Sequence, residues 1–103
     1  MTLLADLDHK RFVVSETTLT HPPLVPELRL RLARDARGIF EHADQYFDGG
    51  LGSRPYWAFA WPGGQAMARY LLDNPGLVAG RNVLDIGAGS AIGAIAALKA
   101  GAH

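Results

Sequence analysis

The residues best suited to chemistry lie in one run, Val83-Leu84-Asp85-Ile86-Gly87-Ala88-Gly89-Ser90-Ala91-Ile92-Gly93. It reads as a buried strand, a glycine turn and the start of a helix. Asp85 closes the strand two positions before the first glycine. Glycines let a backbone approach a ligand without a Cβ and permit positive φ. A helix N-terminus adds unpaired N–H groups and a partial positive charge. Such a junction can hold a nucleotide-like ligand. A dinucleotide fingerprint wants a glycine at the sixth position of Gly-x-Gly-x-x-Gly, where this chain has Ile92, and Gly93 comes one residue late. A phosphate loop of the Gly-Lys-Ser/Thr kind is absent. An acid ahead of the glycines suits a ligand with a cationic amine, or anchors the loop by hydrogen bonds. S-adenosylmethionine has such an amine and no pyrophosphate. The competing structural account needs no ligand: a buried strand, a tight turn and an aspartate capping local N–H groups.

The elements that must position this run come earlier in the chain. Arg11–Val14 is expected as a short strand, and Ser15–Thr20 as extended or turn backbone, because hydroxyl and β-branched side chains disfavour helix. His21-Pro22-Pro23 blocks any helix through that point. From Glu27 the apolar residues Leu28, Leu32, Ala36, Ile39, Phe40, Ala43 and Phe47 fall on one helical face, with Pro26 in the first turn. Glu27 and Arg31, then Arg37 and Glu41, stand four apart as ion pairs on the opposite face. The arginines between Arg29 and Arg37 read as a solvated face rather than an anion site. Residues 48–53 are a loop by composition. Tyr56, Trp57, Phe59 and Trp61 follow, with Tyr56, Trp57 and Phe59 expected in the core. Pro62-Gly63-Gly64 is expected to turn the chain. Gln65–Asp73 is a short helix with Ala66, Met67, Tyr70 and Leu71 inward, ended by Asn74-Pro75-Gly76. Ala91–Ala100 forms the motif helix, with Gly101 as its C-terminal cap.

Composition bounds the function classes. The 103 residues make one domain at most. Ten basic and ten acidic side chains cancel, which gives no electrostatic case for nucleic acid or an anionic membrane. There is no cysteine, so disulfides, thiolate metal sites and a cysteine nucleophile are excluded. No apolar run approaches the roughly 18 residues of a membrane span. The N-terminus has no signal-peptide core, and a cytoplasmic location is the expectation. His9, His21, His42 and His103 show no metal-like spacing. Asp44 and Asp48 read as solvated polar positions rather than an acid–base pair.

A second stretch sharpens the first. Trp57-Ala58-Phe59-Ala60-Trp61-Pro62-Gly63-Gly64-Gln65, Tyr70 to Pro75 and the Asp85 motif together resemble the lysine methyltransferases that modify the β-subunit of electron transfer flavoprotein. These are class I, seven-strand methyltransferases dependent on S-adenosylmethionine. Leu24 to Leu32 resembles the segment preceding the aromatic run in that family. The resemblance covers roughly residues 20 to 103, and the Trp-Pro-Gly-Gly-Gln run is its most specific part. It implies an α/β fold in which residues 1–76 form an N-terminal helical and aromatic segment. Residues 77–103 would then be the first strand–loop–helix of an incomplete Rossmann-like sheet, with its strand at Asn82–Ile86. Asp85, Gly87, Ala88 and Gly89 would line the methionine and ribose part of S-adenosyl-L-methionine, and Trp61 would lie against the cofactor. The implied partner is a protein substrate, the electron transfer flavoprotein β-subunit. Ala91 stands where many superfamily members have a third glycine. The family's later ribose acid and substrate motif are not in this chain.

No residue is nominated as catalytic, because methyl transfer to an amine needs mainly alignment and a deprotonated nucleophile. Gln65 reads as structural, and Ser90 as a helix cap. Two further readings stay open: an inactive truncated fragment with weak or no cofactor binding, and a piece of a nicotinamide or flavin oxidoreductase.

Overall fold

The computed structural model describes residues 3–47 and 54–103, with side chains over 8–46 and 54–103. The loop expected at 48–53, and Asp48 with it, lies outside the described residues. Helix α1 (Leu3–Glu16) runs into strand β1 (Thr17–Thr20), which pairs with β2 (Leu30–Ala33). Helix α2 (Ala36–Phe47), a 3-10 turn (Tyr56–Ala58), α3 (Pro62–Asp73), a second 3-10 turn (Pro75–Leu77) and α4 (Ile92–Lys99) complete the order. Among the described residues the architecture is mixed α/β, with four helices and one two-stranded antiparallel sheet.

Two expectations change at the N-terminal end, at Arg11–Val14 and at Ser15 and Glu16, which are helical before the expected extended backbone begins at Thr17. Arg11–Val14 is helical, not a strand. The β-branched Val13 and Val14 weaken a helix only slightly. Burial of Phe12 at 2% exposure, in a core with Ile39, Ala43 and Ala58, outweighs that preference. Thr17 ends the helix by turning its hydroxyl back to the Val13 carbonyl, a local competitor for the backbone that hydroxyl residues offer.

The long helix expected from Glu27 begins only at Ala36. Its first third is instead a turn and a strand. Leu28-Arg29-Leu30-Arg31-Leu32 alternates strictly, which is the period of a strand with one buried face. β2 pairs with β1 in the register Thr17↔Ala33, Thr18↔Leu32, Leu19↔Arg31 and Thr20↔Leu30. Pro26 therefore sits in a turn region rather than in a helix, next to a Leu28 N–H to Val25 carbonyl bond of 3.0 Å. Asp35 caps the real helix by accepting the Arg37 N–H at 3.2 Å. From there the periodic face holds: Ile39 and Ala43 are buried, and Phe40 packs beside them.

Two apolar clusters result. One joins Phe12, Ile39, Ala43 and Ala58, flanked by Trp57 and Phe59. The other joins Val25, Leu28, Leu30, Ala68, Ile92 and Ala96, so the turn before β2, strand β2, α3 and α4 share one core. Pro62 opens α3 as its first helical residue instead of turning the chain. The buried face of α3 carries Gln65 and Ala68. Met67 and Tyr70, expected inward, are both 56% exposed, and Ala66 is exposed too. The leucines Leu71 and Leu72 are half-buried. The side of α3 turned to α4 carries the small residues Gly64 and Ala68. Asn74 ends α3 as expected, its N–H bonding the Tyr70 carbonyl.

The motif strand does not form here. Asn82–Asp85 has no regular structure. Leu84 and Ile86 are 82% and 86% exposed. Among the described residues no strand lies beside them to supply ladder hydrogen bonds, and an isolated strand has no source of stability. Just ahead of the segment, Gly80 N–H bonds the Gly101 carbonyl at 2.8 Å, and His103 N–H bonds the Arg81 carbonyl at 2.9 Å. Gly101 closes α4 as expected, at φ 106°. Ala102 N–H reaches the Ala97 carbonyl and Gly101 N–H the Leu98 carbonyl, the paired bonds of a Schellman cap.

Candidate functional site

The glycine loop takes the backbone that its composition allows. Gly87 and Gly89 have φ of 66° and 55°, and a Cβ on either would meet no atom within 4 Å. Both thus combine a left-handed backbone with open space where a Cβ would stand. Ala88 between them is exposed. Ala91 also has positive φ, 63°, and stands as the N-terminal cap residue of α4. An Ala88 carbonyl to Ala91 N–H bond of 2.7 Å tightens the turn.

Asp85 acts on the helix. Its Oδ2 accepts the Ala94 N–H at 3.1 Å, one of the unpaired donors of the first turn of α4. A Cβ at Gly93 would sit 3.3 Å from that oxygen. Gly93 therefore has a role that its lateness for a dinucleotide fingerprint obscured: it clears the path of the Asp85 carboxylate to the helix. Ser90, expected as a cap, makes no capping bond to α4.

The Trp-Pro-Gly-Gly-Gln run joins the rest of the chain to this loop. Trp61 is the N-terminal cap residue of α3 and Pro62 its first helical residue. Gly64 faces Ile92, the first residue of α4, so closely that a Cβ would stand 2.8 Å from Ile92 Cγ2. Gln65 is buried at 8% exposure. Its Oε1 accepts the Leu24 N–H at 3.0 Å and its Nε2 donates to the Ala60 carbonyl at 2.6 Å. One amide thus satisfies two backbone groups from distant segments, the structural role expected of it.

Trp61 is half exposed, and its indole N–H donates to the Tyr56 carbonyl at 3.0 Å. Its ring lies 5.4 Å from Phe59 and 6.4 Å from Tyr56, at the outer end of a row that continues through Phe40. Tyr56, expected in the core, is 48% exposed and sits on this row instead.

The tryptophan beside the glycine loop is Trp57. An open cleft of about 280 Å³ is lined by Gly89 and Ser90 together with Arg29 and Arg31. Trp57 and Ile95 add apolar surface to its lining. Trp57 is held from behind by an edge-to-face contact with Phe12 at 6.4 Å. Of the residues proposed from sequence for the cofactor, the cleft takes in Gly89. Asp85 lines a separate depression with Leu71, Val83 and Leu84, and Trp61 lines neither. The sequence reads Arg29 and Arg31 as a solvated face rather than an anion site, and Trp57 as core, so none of the three is nominated there for the cofactor. Only the turn of β2 toward α4, a non-local event, brings them to the loop.

The arginines divide by partner. Arg31 donates to the Thr17 hydroxyl at 3.3 Å, and Arg34 to the Thr17 carbonyl at 3.1 Å. Arg37 pairs with Glu41 at 3.7 Å, as expected. Glu27 does not pair with Arg31. It receives a fork from Arg69, at 2.9 and 2.7 Å, and Arg69 also bonds Asp73. The hydrogen bonds from Arg69 hold the Glu27 carboxyl below its ordinary range. Arg29 makes no hydrogen bond or ion pair among the described residues. There, too, no three His, Cys, Asp or Glu side chains converge as metal ligands, and no helix is long and apolar enough to cross a membrane.

No protein-family model matches the chain, and no solved structure does. Curated proteins do. The electron transfer flavoprotein beta subunit lysine methyltransferase of Homo sapiens is 46% identical over 99 residues, covering 94% of this chain and 36% of the relative. Its Xenopus laevis counterpart is 44% identical over 93 residues, 90% of this chain and 37% of the relative. A Caenorhabditis elegans homolog is 35% identical over 92 residues, 89% of this chain and 36% of the relative. The chain thus spans little more than a third of the length of the relatives it matches. Over nearly its whole length, it is homologous to part of the electron transfer flavoprotein beta subunit lysine methyltransferases.

Proposed function

We propose that this chain forms part of the S-adenosyl-L-methionine site of a protein-lysine methyltransferase whose substrate is the electron transfer flavoprotein β-subunit. The observation that carries the proposal is 46% identity over 99 residues to a protein of that name. Local geometry supports it. Gly87 and Gly89 offer left-handed backbone with free space beside it, which suits close approach of a small polar ligand. When bound, the cofactor supplies a methyl group on a sulfonium centre. The residues of this chain contribute alignment: the loop holds the ligand, Asp85 fixes the loop to α4, Gly64 lets α3 pack closely on α4, and Gln65 ties α3 to Leu24 and Ala60.

Titration calorimetry of the 103-residue chain with S-adenosylmethionine tests the binding part. Saturable binding is expected, and its absence would identify the chain as an inert piece. Transfer is tested separately, with a labelled methyl donor and purified electron transfer flavoprotein. Label on the β-subunit is expected; binding without label would remove transfer from the role of this chain.

A further inference from the structure

The cleft beside Gly89 carries a charge opposite to the one that the Asp85 motif suggests. Asp85 spends one carboxylate oxygen on the Ala94 N–H and faces a different depression. The charged groups on the Gly89 cleft are two guanidinium groups, from Arg29 and Arg31. Arg31 is engaged with Thr17. Arg29 has no partner among the described residues, although every other arginine from Arg31 to Arg37 has one. A guanidinium without an acceptor, next to a glycine loop and an indole, is suited to a carboxylate, which its planar fork can hold with two hydrogen bonds. The cleft volume of about 280 Å³ is at the lower end for ligand pockets, roughly 300–1,000 Å³. It has room for the end of a cofactor and not for all of it.

We infer that Arg29 binds the carboxylate of the amino-acid arm of the methyl donor, with that arm lying between Gly89 and Trp57. The inference rests on the proposed cofactor reading and deepens it. Its polarity is specific: the carboxylate, not the ammonium, is what the cleft recognises. Arg29 is a binding residue and takes no part in bond making or breaking.

The test compares two ligands that differ only at that group, S-adenosylmethionine and its decarboxylated form, on wild-type chain and on Arg29→Met. Arg29 is exposed and has no partner among the described residues, so the substitution should leave the thermal midpoint and the circular dichroism unchanged. Arg29→Met should weaken S-adenosylmethionine by about ten- to a hundredfold, the usual range for a hydrogen bond to a charged group. It should leave the decarboxylated ligand unaffected. Arg29→Lys, with the charge but not the fork, should fall between. Equal loss for both ligands, or no loss for either, would overturn the Arg29 assignment and leave the cofactor reading standing. Failure of the wild-type chain to bind S-adenosylmethionine at all would overturn both.

Discussion

At the scale of single residues, the glycine loop shows where this chain departs from its most economical form. Three left-handed residues alternate through it, at Gly87, Gly89 and Ala91. Two are glycine and the third is alanine, at the position where many methyltransferases carry a glycine. A Cβ in that region costs about 1–2 kcal/mol, while glycine returns roughly 0.5–1 kcal/mol of that through a more disordered unfolded chain. The steric cost is the larger. Ala91→Gly should therefore stabilise the chain, by up to about 1 kcal/mol, seen as a higher urea midpoint at unchanged slope. A lower midpoint would mean that residue 91 does not hold the left-handed conformation in solution. The Asp-x-Gly-x-Gly pattern was legible to this depth from sequence: it marked the turn and its permitted positive φ, and left the acid as either a partner for a ligand amine or an anchor for the loop. The same local pattern could not say which tryptophan stands opposite. Trp57 and Trp61 lie four apart in one aromatic run, and their separation into cleft and outer row depends on Phe12, which packs on Trp57, and Phe40, which continues the outer row, both from other segments.

At the scale of elements, the contact between α3 and α4 explains why two adjacent glycines occur in the Trp-Pro-Gly-Gly-Gln run. Gly63 has open space beside it, whereas Gly64 touches Ile92. The two should respond oppositely to alanine. Gly63→Ala gains helix propensity, up to about 1 kcal/mol. Gly64→Ala gains the same but overpacks a buried isoleucine, at a typical cost of about 1–3 kcal/mol, so it should be neutral to destabilising by about 2 kcal/mol. In an Ile92→Ala background the penalty at Gly64 should vanish, a coupling that a double-mutant cycle in urea reads directly. A second element contact depends on pH. His42 Nδ1 of α2 stands 2.7 Å from Glu16 Oε1 of α1. The bond to Glu16 and its charge raise the His42 pKa above 6.5. A raised folded-state pKa contributes stability fully present below the unfolded pKa and lost as pH rises through the folded one. His42→Gln should therefore lower the thermal midpoint at pH 5.5 and have little effect at pH 9; an equal effect at both would rule out the ion pair. Element type was legible wherever one period ruled alone, as in α3, α4 and the second part of α2. It failed at Leu28 to Leu32, where leucines four apart satisfy a helix while the intervening arginines satisfy a strand. Only pairing with Thr17–Thr20 decides between them.

At the scale of the whole molecule, the chain is more open than its length implies. A compact domain of this size has a radius of gyration of about 13 Å, and this chain has 15.1 Å, with extents of 44 × 29 × 21 Å. Its accessible surface is 6907 Å², against roughly 5,700 Å² for a folded monomer of the same mass. The exposed surface includes large apolar side chains: Val83, Leu84 and Ile86 in the motif segment, and Met67 and Tyr70 on the outer side of α3. Asn82–Ile86 has the apolar composition of a buried strand but no ladder partner among the described residues. Unpaired backbone next to exposed Leu and Ile is a template for pairing with another chain. The isolated chain should accordingly bind a hydrophobic dye and show a sedimentation coefficient that rises with concentration. Leu84→Lys with Ile86→Lys should suppress both. Because both side chains are more than 80% exposed, the double variant loses almost no buried surface, and its helical circular dichroism should match the wild type. Suppression of association with helix content retained would locate the sticky surface in the motif segment. Persistence of association in the double variant would move it to α3, where Met67→Lys and Tyr70→Lys are the next pair to test. A monomeric, dye-free wild type would mean instead that in solution Leu84 and Ile86 fold back onto α4, and the glycine loop with them.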